Sequence, residues 1–262
     1  MNSKETKLKA FSRLLNIMDD LREQCPWDKK QTFESLRHLT IEETYELGDA
    51  ILKNDLLEIK KELGDLLLHI IFYAKLGSEE NAFDIADVAN EICEKLIHRH
   101  PHIYGSISVE DEYEVKKNWE KIKLKEGKKS VLEGVPNSLP ALVKSQRVQE
   151  KAAGVGFDWD NKKQVWDKFK EELKELDQAL DSKKEDAIED EFGDVLFSLI
   201  NYARFIKVNP ETALERTNKK FIKRFQHIES MAKKSNRSIE NLTLVEMESY
   251  WKQAKNQSVS DS

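Results

Sequence analysis

The stretch IEETYELGDAILKNDLLEIKKELGDLLLHIIFYAKL, residues 41–76, returns as KEELKELDQALDSKKEDAIEDEFGDVLFSLINYARF, residues 170–205. The two copies align without a gap at a constant offset of 129 residues. Five acidic positions match between them: Glu42 with Glu171, Glu43 with Glu172, Glu46 with Glu175, Glu62 with Glu191, and Asp65 with Asp194. Internal similarity of this kind marks a repeated structural unit, so the match predicts a tandem duplication.

Flanking segments extend the repeat in both directions. PWDKKQTF resembles DWDNKKQVW, EKLIHRH resembles KKFIKRF, and NWEKIK resembles YWKQAK. Between the copies, GKKSVLEGVPNSLP is rich in Gly, Pro and Ser, which is typical of a linker. We therefore predict a first helical domain over residues 1–126, a linker over 127–140 and a second helical domain over 141–262.

The composition predicts an all-α fold. The 262 residues include 9 Gly and 5 Pro, too few breakers for many short strands. Apolar residues recur at helical spacing over residues 11–24, 35–55, 56–77, 84–100 and 112–127. Thr40 is expected to cap a helical turn that starts at Ile41, and Gly77 and Pro101 are expected to end helices.

Charge and cysteine content suggest the compartment and limit the partners. The formal net charge of -6 disfavours direct nucleic-acid binding. The strongest apolar run, Leu66–Ala74, is shorter than the roughly 20 residues that a membrane span needs, so no membrane partner is expected. Two cysteines outside any CxxC pair and an N-terminus without an apolar signal segment predict a cytoplasmic protein.

The matching acids predict a metal site in each copy. Glu43 and Glu46 are three residues apart and share one helix face, as do Glu62 and Asp65. A short turn around KNDL would let the two helices run antiparallel and bring four carboxylates together. A divalent cation would offset their repulsion, and ligands that are all oxygen suit Mg²⁺, with Mn²⁺ as a possible substitute. An acidic face that merely contacts solvent is the competing interpretation.

The absence of a recurring histidine disfavours iron or zinc chemistry. Carboxylate di-iron bundles use Glu-x-x-His pairs, whereas Asp65 occupies the fourth position here. His69 follows one turn later, but its counterpart is Ser198, so we interpret His69 as a packed core residue. Mg²⁺ normally keeps waters and binds phosphates, which indicates a phosphorylated substrate attacked by an activated water.

Basic and aromatic residues of the second copy are compatible with a phosphorylated ligand. Lys220 and Arg224 are four residues apart on one predicted helix, and Lys168 precedes Glu172 by four. Trp251 could stack on a base or pack in the core. The chain has no GxxxxGK[ST] loop and no GxSxG elbow. A helical module that binds a nucleotide or a protein without turnover is the alternative to an enzyme.

Several motifs together resemble the MazG family of tandem-domain nucleoside triphosphate pyrophosphohydrolases. They are CPWDKKQTF, EETYEL, ELGDLL, RHPHIY, SLPAL, VGFDW and EFGDVLF, between about Leu14 and Lys255. The resemblance implies the all-α NTP pyrophosphatase fold, with a four-helix-bundle-like core formed on homodimerisation. It also implies Mg²⁺-dependent hydrolysis of nucleoside and deoxynucleoside triphosphates to the monophosphate and pyrophosphate. A metal-bound water would attack the α-phosphorus, with Glu172 or Glu175 as the base.

The resemblance also implies a set of site residues. In the second copy the metal ligands are Glu172, Glu175, Glu191 and Asp194, and the nucleotide contacts are Lys168, Glu171, Lys220, Arg224 and Trp251. The equivalent metal set of the first copy is Glu43, Glu46, Glu62 and Asp65. We expect the second copy to be the main catalytic unit, because Pro101 interrupts the equivalent of the basic helix in the first copy. A family lysine is missing between Asp186 and Asp190, where Lys183 or Lys184 would substitute.

Overall fold

A computed structural model describes residues 1–109, 111, 114, 115, 118, 119, 122 and 130–260, with side chains through residue 256. These residues form α-helices and short 3₁₀ turns without a β-strand, which confirms the predicted all-α fold. The chain divides into two compact units, Met1–Ser108 and Val109–Ser262. The helix predicted over 112–127 and the start of the predicted linker lie largely outside the described residues.

Unit 1 packs its helices around one apolar core. Its helices are α1 (Lys4–Gln24), α2 (Phe33–Lys53), α3 (Leu56–Glu79), α4 (Ile85–Arg99) and α5 (Pro101–Tyr104), with a 3₁₀ turn at Asp28–Lys30. The fully packed core residues are Met18, Leu36, Ile71, Phe72 and Leu76. They come from α1, α2 and α3, so the α2–α3 hairpin is held against α1 by burial of apolar surface.

Two sequence signals for helix ends in unit 1 were wrong. Helix α2 begins at Phe33, where Thr32 and Ser35 form a reciprocal capping box, and Thr40 lies in its interior. The Thr40 hydroxyl instead contacts His69 Nδ1 and the Tyr73 hydroxyl, each at 2.7 Å. Helix α3 continues past Gly77 to Glu79, and the ring of Phe83 packs where a Cβ at Gly77 would lie. The predicted end before Pro101 is confirmed, since α4 stops at Arg99.

Unit 2 contains a second helical hairpin and a separate helix pair. Its helices are α6 (Ala141–Ala153), α7 (Lys162–Ser182), α8 (Glu185–Phe205), α9 (Pro210–Lys234) and α10 (Leu244–Ser260), with a 3₁₀ turn at Ile239–Asn241. Helix α7 packs along α8, α6 packs against α8 and α9, and α9 packs along α10. Lys151 is buried and donates to the carbonyls of Val131 and Glu133, which anchors the segment before α6.

The same backbone turn closes the hairpin in each unit. Asn54 ends α2 with φ 55°, and Lys183 ends α7 with φ 56°, both in the left-handed region. The two residues are equivalent in the repeat. In unit 1 the Asp55 side chain then accepts from the backbone N–H groups of Leu57 and Glu58 and so caps α3. The predicted turn around KNDL is confirmed, and it makes the two hairpin helices antiparallel.

Within the described residues, no helix is long and apolar enough to span a membrane. Cys25 and Cys93 are both free thiols.

Candidate metal and nucleotide site

Each hairpin brings three of the predicted acids together. In unit 2 the carboxylates of Glu172, Glu175 and Glu191 offer oxygens that all lie within 4.8 Å of one another. Their equivalents in unit 1 meet the same criterion: Glu43, Glu46 and Glu62. In each group two acids come from the first helix of the hairpin and one from the second, as the antiparallel arrangement requires. We call these sets the unit 2 acid group and the unit 1 acid group.

The fourth predicted acid lies close to each group without joining its tightest set. Asp65 is near enough to Glu43 to be the strongest charged neighbour that raises the pKa of that carboxyl. Asp194 lines a cavity together with Glu172 and Lys168. Both aspartates therefore lie where they could complete a cation site of four carboxylates.

The unit 1 acid group has the features of a site that a cation would complete. Burial raises the pKa of the Glu43 carboxyl, and repulsion from Asp65, Glu46 and Glu62 raises it further. Glu62 is only 3% exposed, and its Oε2 has no hydrogen-bond partner in the described part of the chain. A buried carboxylate oxygen without a partner is costly, so the arrangement fits a bound cation.

The unit 2 acid group is partly neutralised by Lys168. Its Nζ lies 2.8 Å from Glu171 Oε1 and 3.0 Å from Glu172 Oε1, and these hydrogen bonds raise the pKa of the lysine. Hydrogen bonding to Glu172, followed by burial, raises the pKa of the Glu175 carboxyl. One acid of the group is thus ion-paired, while its neighbour holds a proton more readily than an ordinary glutamate.

The two acid groups are neutralised by lysines at different positions. Helices α2 and α7 begin at Phe33 and Lys162, again 129 residues apart, so Lys168 of α7 corresponds to Leu39. Unit 1 therefore has no equivalent lysine on its first hairpin helix. Unit 1 instead uses Lys61 of α3, whose Nζ lies 3.0 Å from Glu62 Oε1. Lys61 corresponds to Asp190 in unit 2. The acids recur but their neutralisation does not, so the two groups differ in the charge that they present.

A cavity of about 610 Å³ opens beside the unit 2 acid group. Its volume lies within the usual range for small-molecule sites. The acidic end is formed by Glu172 and Asp194 with Lys168, and the segment before α7 contributes Phe157 and Trp159. Further apolar walls come from α6, α7 and α8: Val148, Ala152, Val165 and Phe197. Carboxylates at one end and aromatic walls beyond them suit a ligand with both charged and planar parts.

Polar residues that the sequence analysis did not single out also line the cavity. Arg204 donates to Asp158 Oδ2 at 2.8 Å and also to Oδ1, and its Nε donates to Asn201 Oδ1 at 3.1 Å. A second missed residue is Gln149, which is buried in the wall. One signal was available for Arg204, because its repeat equivalent Lys75 is also a cation, paired with Asp19 at 2.7 Å.

In unit 1 the equivalent positions are occupied by core side chains. Val165 and Asn201 correspond to Leu36 and Phe72, which are 1% and 3% exposed. Lys168 and Phe197 correspond to Leu39 and Leu68, which pack against the same core. In unit 1, apolar residues of the core thus occupy these four positions, which border the cavity in unit 2.

The remaining predicted nucleotide contacts form a separate cluster. The Arg224 guanidinium lies over the Trp251 ring, 5.4 Å from its centroid, and the Phe221 ring packs against the same indole at 5.1 Å. Trp251 also packs against the core of the α9–α10 pair. Lys220 is exposed. None of Lys220, Arg224 and Trp251 is among the described residues that line the cavity.

His69 lies where the sequence analysis expected it, in packed surroundings. It is 8% exposed, its Nδ1 contacts Thr40, and its ring meets Tyr73 edge to face. Burial lowers the pKa of the imidazole, so the neutral form is favoured. The interpretation of His69 as a packed core residue, made from the sequence, is confirmed.

Comparison with known proteins connects both acid groups to one family. A family model described as the MazG nucleotide pyrophosphohydrolase domain matches residues 31–104 and again residues 161–229. These two matches contain the acids of the unit 1 and unit 2 acid groups respectively. The duplication predicted from the repeat is therefore a duplication of this domain.

Relatives cover nearly the whole chain. The "Nucleoside triphosphate pyrophosphohydrolase/pyrophosphatase MazG" of Thermotoga maritima is 46% identical over 251 residues, which is 94% of this chain and 95% of the relative. The "Nucleoside triphosphate pyrophosphohydrolase" of Escherichia coli K12 is 40% identical over 264 residues, which is 96% of this chain and 99% of the relative. The crystal structure of a mazG-related protein from Thermotoga maritima covers 43% of this chain at 28% identity, with a TM-score of 0.39.

Proposed function

Because this chain belongs to the MazG nucleotide pyrophosphohydrolase family, we propose that it is an enzyme that hydrolyses nucleoside and deoxynucleoside triphosphates to the monophosphate and pyrophosphate. Relatives of almost equal length are named for nucleoside triphosphate pyrophosphohydrolase activity. One observation in the structure carries the proposal: Glu172 and Asp194 border the same cavity that Phe157 and Trp159 line with aromatic rings. The proposed site for metal and phosphates therefore lies next to the proposed pocket for the base.

Mg²⁺ is the proposed cofactor, with Mn²⁺ as a substitute. The proposed ligands in unit 2 are Glu172, Glu175, Glu191 and Asp194, and those in unit 1 are Glu43, Glu46, Glu62 and Asp65. Donor sets made of carboxylate oxygens suit these hard cations. When bound, Mg²⁺ would neutralise phosphate charge and make a water molecule more acidic.

Proton transfer from the attacking water is assigned to Glu175. The water oxygen forms a bond to the α-phosphorus, and the bond from that phosphorus to the α–β bridging oxygen breaks, so pyrophosphate leaves with the electron pair. Glu175 lies within the acid group beside Glu172 and Glu191, which supports this residue as the acceptor of the water proton. Its neighbour Glu172 forms an ion pair with Lys168 at 3.0 Å, which supports a role in ligand binding.

Unit 2 is proposed as the main catalytic unit. Lys168 stands at the acidic end of the cavity, where its ammonium can pair with the substrate phosphates as well as with Glu171 and Glu172. Lys220, Arg224 and Trp251 remain proposed nucleotide contacts that a closed complex would have to bring to the cavity. In unit 1 the equivalent cavity positions are filled by Leu36 and Phe72. Unit 1 is therefore assigned a cation site without a matching base pocket.

A homodimer is also proposed, with a bundle core formed by hairpins of two chains. Support comes from large apolar side chains left 39–54% exposed on α7 and α8: Leu173, Leu180, Phe192, Leu196 and Leu199. Single exposed apolar residues are common, but a group on one hairpin indicates a surface that another protein covers. The domain boundaries and the cytoplasmic location stay predictions.

Product analysis tests the proposed reaction. The purified chain is incubated with each nucleoside triphosphate and Mg²⁺, and the products are separated by ion-exchange chromatography. Monophosphate and pyrophosphate in equal amounts are expected, whereas a diphosphate with orthophosphate would exclude attack at the α-phosphorus.

Two substitutions on α8 distinguish the proposed enzyme from a module that binds its ligand without turnover. Asp194→Ala should abolish pyrophosphate release and weaken Mn²⁺ binding in calorimetry, while Asp190→Ala, on the same helix, serves as the matched control. If Asp194→Ala binds Mn²⁺ as tightly as the wild type, the proposed ligand set is wrong.

A further inference from the structure

Gln149 of α6 is a buried amide in the wall of the unit 2 cavity. It is 6% exposed. Its Nε2 donates to the backbone carbonyl of Phe197 on α8 at 2.9 Å. Its Oε1 is buried and has no hydrogen-bond partner among the described residues. Buried amide oxygens are normally paired, so this acceptor is an unexplained feature of the wall.

The bond to Phe197 fixes which end of the amide remains for a ligand. If the amide were rotated by half a turn, Oε1 would face the carbonyl oxygen of Phe197, and two acceptors would be opposed. The nitrogen is therefore used within the protein, and the oxygen is the atom left without a partner in this residue of the cavity wall. Gln149 thus offers the cavity an acceptor and not a donor.

The contact of Gln149 with α8 also lies at a suitable distance from the acids to reach a substrate base. The helix rises about 1.5 Å per residue, so Phe197 lies roughly 4.5 Å beyond Asp194 and Arg204 roughly 15 Å beyond it. The amide is therefore anchored about one turn past the acids, between the proposed phosphate site and the far end of the cavity. Phe157 and Trp159 line the same cavity, and a planar base would stack on such aromatic walls.

On the basis of the proposed function, we propose that Gln149 is a specificity-determining residue whose Oε1 accepts a hydrogen bond from the exocyclic amino group of the substrate base. Adenine and cytosine present amino donors at the 6- and 4-positions, where guanine and uracil present carbonyl acceptors. A buried acceptor pairs with the amino group and repels the carbonyl. The enzyme should therefore prefer ATP over ITP and CTP over UTP.

Matched nucleotide pairs test the proposal on the wild-type protein. ATP and ITP differ at the 6-position, and purine riboside triphosphate has neither the amino group nor the carbonyl. The expected ratio of kcat/KM for ATP over ITP is about 5- to 100-fold, since a mispaired buried polar group is strongly disfavoured. Equal values for ATP, ITP and purine riboside triphosphate would overturn the proposal without any variant.

Gln149→Met then assigns the preference to this residue, because Met retains the length of the side chain but has no amide. The ATP/ITP ratio should fall to near one while the ATP/dATP ratio stays unchanged. Gln146→Met is the matched control: it lies one turn away on α6, donates to Glu150 and is not part of the cavity wall. This control should keep the wild-type preference.

The remaining outcomes are distinct from one another. A change in the ATP/dATP ratio alone would show that Oε1 contacts the sugar hydroxyl, which overturns the assignment to the base. An unaltered ATP/ITP ratio in Gln149→Met would also overturn it. Absence of pyrophosphate from every nucleotide in the wild type would contradict the proposed function itself, and with it this inference.

Discussion

The residue that most clearly distinguishes the two acid groups is Lys168. It is one turn before Glu172 on α7 and pairs with it at 3.0 Å, whereas the equivalent residue of unit 1 is Leu39. Its side chain is 34% exposed, so solvent weakens the pair, but Glu172 is buried. A lysine in this position can pair with Glu172 and still face the cavity.

We therefore predict that Lys168→Met lowers kcat/KM for pyrophosphate release by about 10- to 100-fold, as expected for a residue that orients a metal ligand. Lys170→Met is the matched control, since Lys170 pairs with the exposed Asp167 at 2.7 Å. Steady-state kinetics with varied nucleotide concentration will measure both. Equal kinetic constants for the two variants would contradict a role for Lys168 at the site.

The raised pKa values of Glu43 and Glu175 predict a pH dependence of stability and of cation binding. Both lie above the ordinary 4.5, so the folded chain binds these protons more tightly than the unfolded chain. Their contribution to the stability of the metal-free protein is fully present below pH 4.5 and is lost as the pH rises through the raised values. Cations must displace the same protons, so Mn²⁺ affinity should fall as the pH is lowered from neutral toward these raised pKa values.

Calorimetric titration with Mn²⁺ at several pH values, with thermal unfolding in parallel, measures both effects. In saturating Mg²⁺ the loss of stability with rising pH should disappear. Mn²⁺ affinity that is constant across this range would contradict the assignment of Glu43 and Glu175 as ligands.

At the scale of the helices, two glycines in unit 1 have opposite surroundings. A Cβ at Gly48 in α2 would meet nothing within 4 Å. A Cβ at Gly77 in α3 would come within 2.7 Å of the Phe83 ring. Gly48→Ala should therefore raise the free energy of unfolding by about 0.5–1 kcal/mol, because alanine loses less backbone entropy in a helix. Gly77→Ala should lower it, since the ring must move out of contact.

Urea denaturation followed by helical circular dichroism measures this pair, and each variant serves as the control for the other. Stabilisation by both would show that Phe83 moves without cost. Destabilisation by both would show that Gly48 has a contact outside the chain, for example with a second copy.

The helical hairpins were predictable because the helical spacing of the residues and the internal sequence repeat indicate the same fold. Acids three apart at Glu43 and Glu46 define one helix face, and recurrence at Glu172 and Glu175 separates them from an ordinary acidic surface. Thr40 was wrong as a helix signal because its long-range contacts outweigh local preference. The Thr40 hydroxyl meets His69 and Tyr73, 29 and 33 residues away.

The cavity could not be predicted in the same way. Its walls come from α6, α7, α8 and the segment that contains Phe157 and Trp159, so its shape depends on how separate elements pack. Gln149 has no periodic partner that would identify it, and its Oε1 becomes notable only when its Nε2 is seen to bind Phe197. The pairing of Lys168 with Leu39 lies outside the gap-free repeat, and it follows from the starts of α2 and α7 at Phe33 and Lys162, 129 residues apart.

At the scale of the whole chain, the duplication has kept the acids and changed the residues around them. Both units retain three acids within 4.8 Å. Around them, unit 1 places Leu36 and Phe72 in its core, where unit 2 has Val165 and Asn201 beside a cavity. Acids without a pocket can still bind a cation and stabilise the fold, since a ligand that binds only the folded state adds to its stability.

Matched substitutions in the two acid groups test this division within the intact chain. Glu172→Gln should lower pyrophosphate release by about 100-fold or more, because it removes a cation ligand at the cavity. Glu43→Gln, at the equivalent position, should leave release unchanged but reduce the number of Mn²⁺ ions bound and the stabilisation of unit 1 by Mn²⁺. Kinetics, calorimetric stoichiometry and thermal unfolding on both variants complete the comparison. Equal losses of activity would show that the two units catalyse together, and the filled positions of unit 1 would then need to open during turnover.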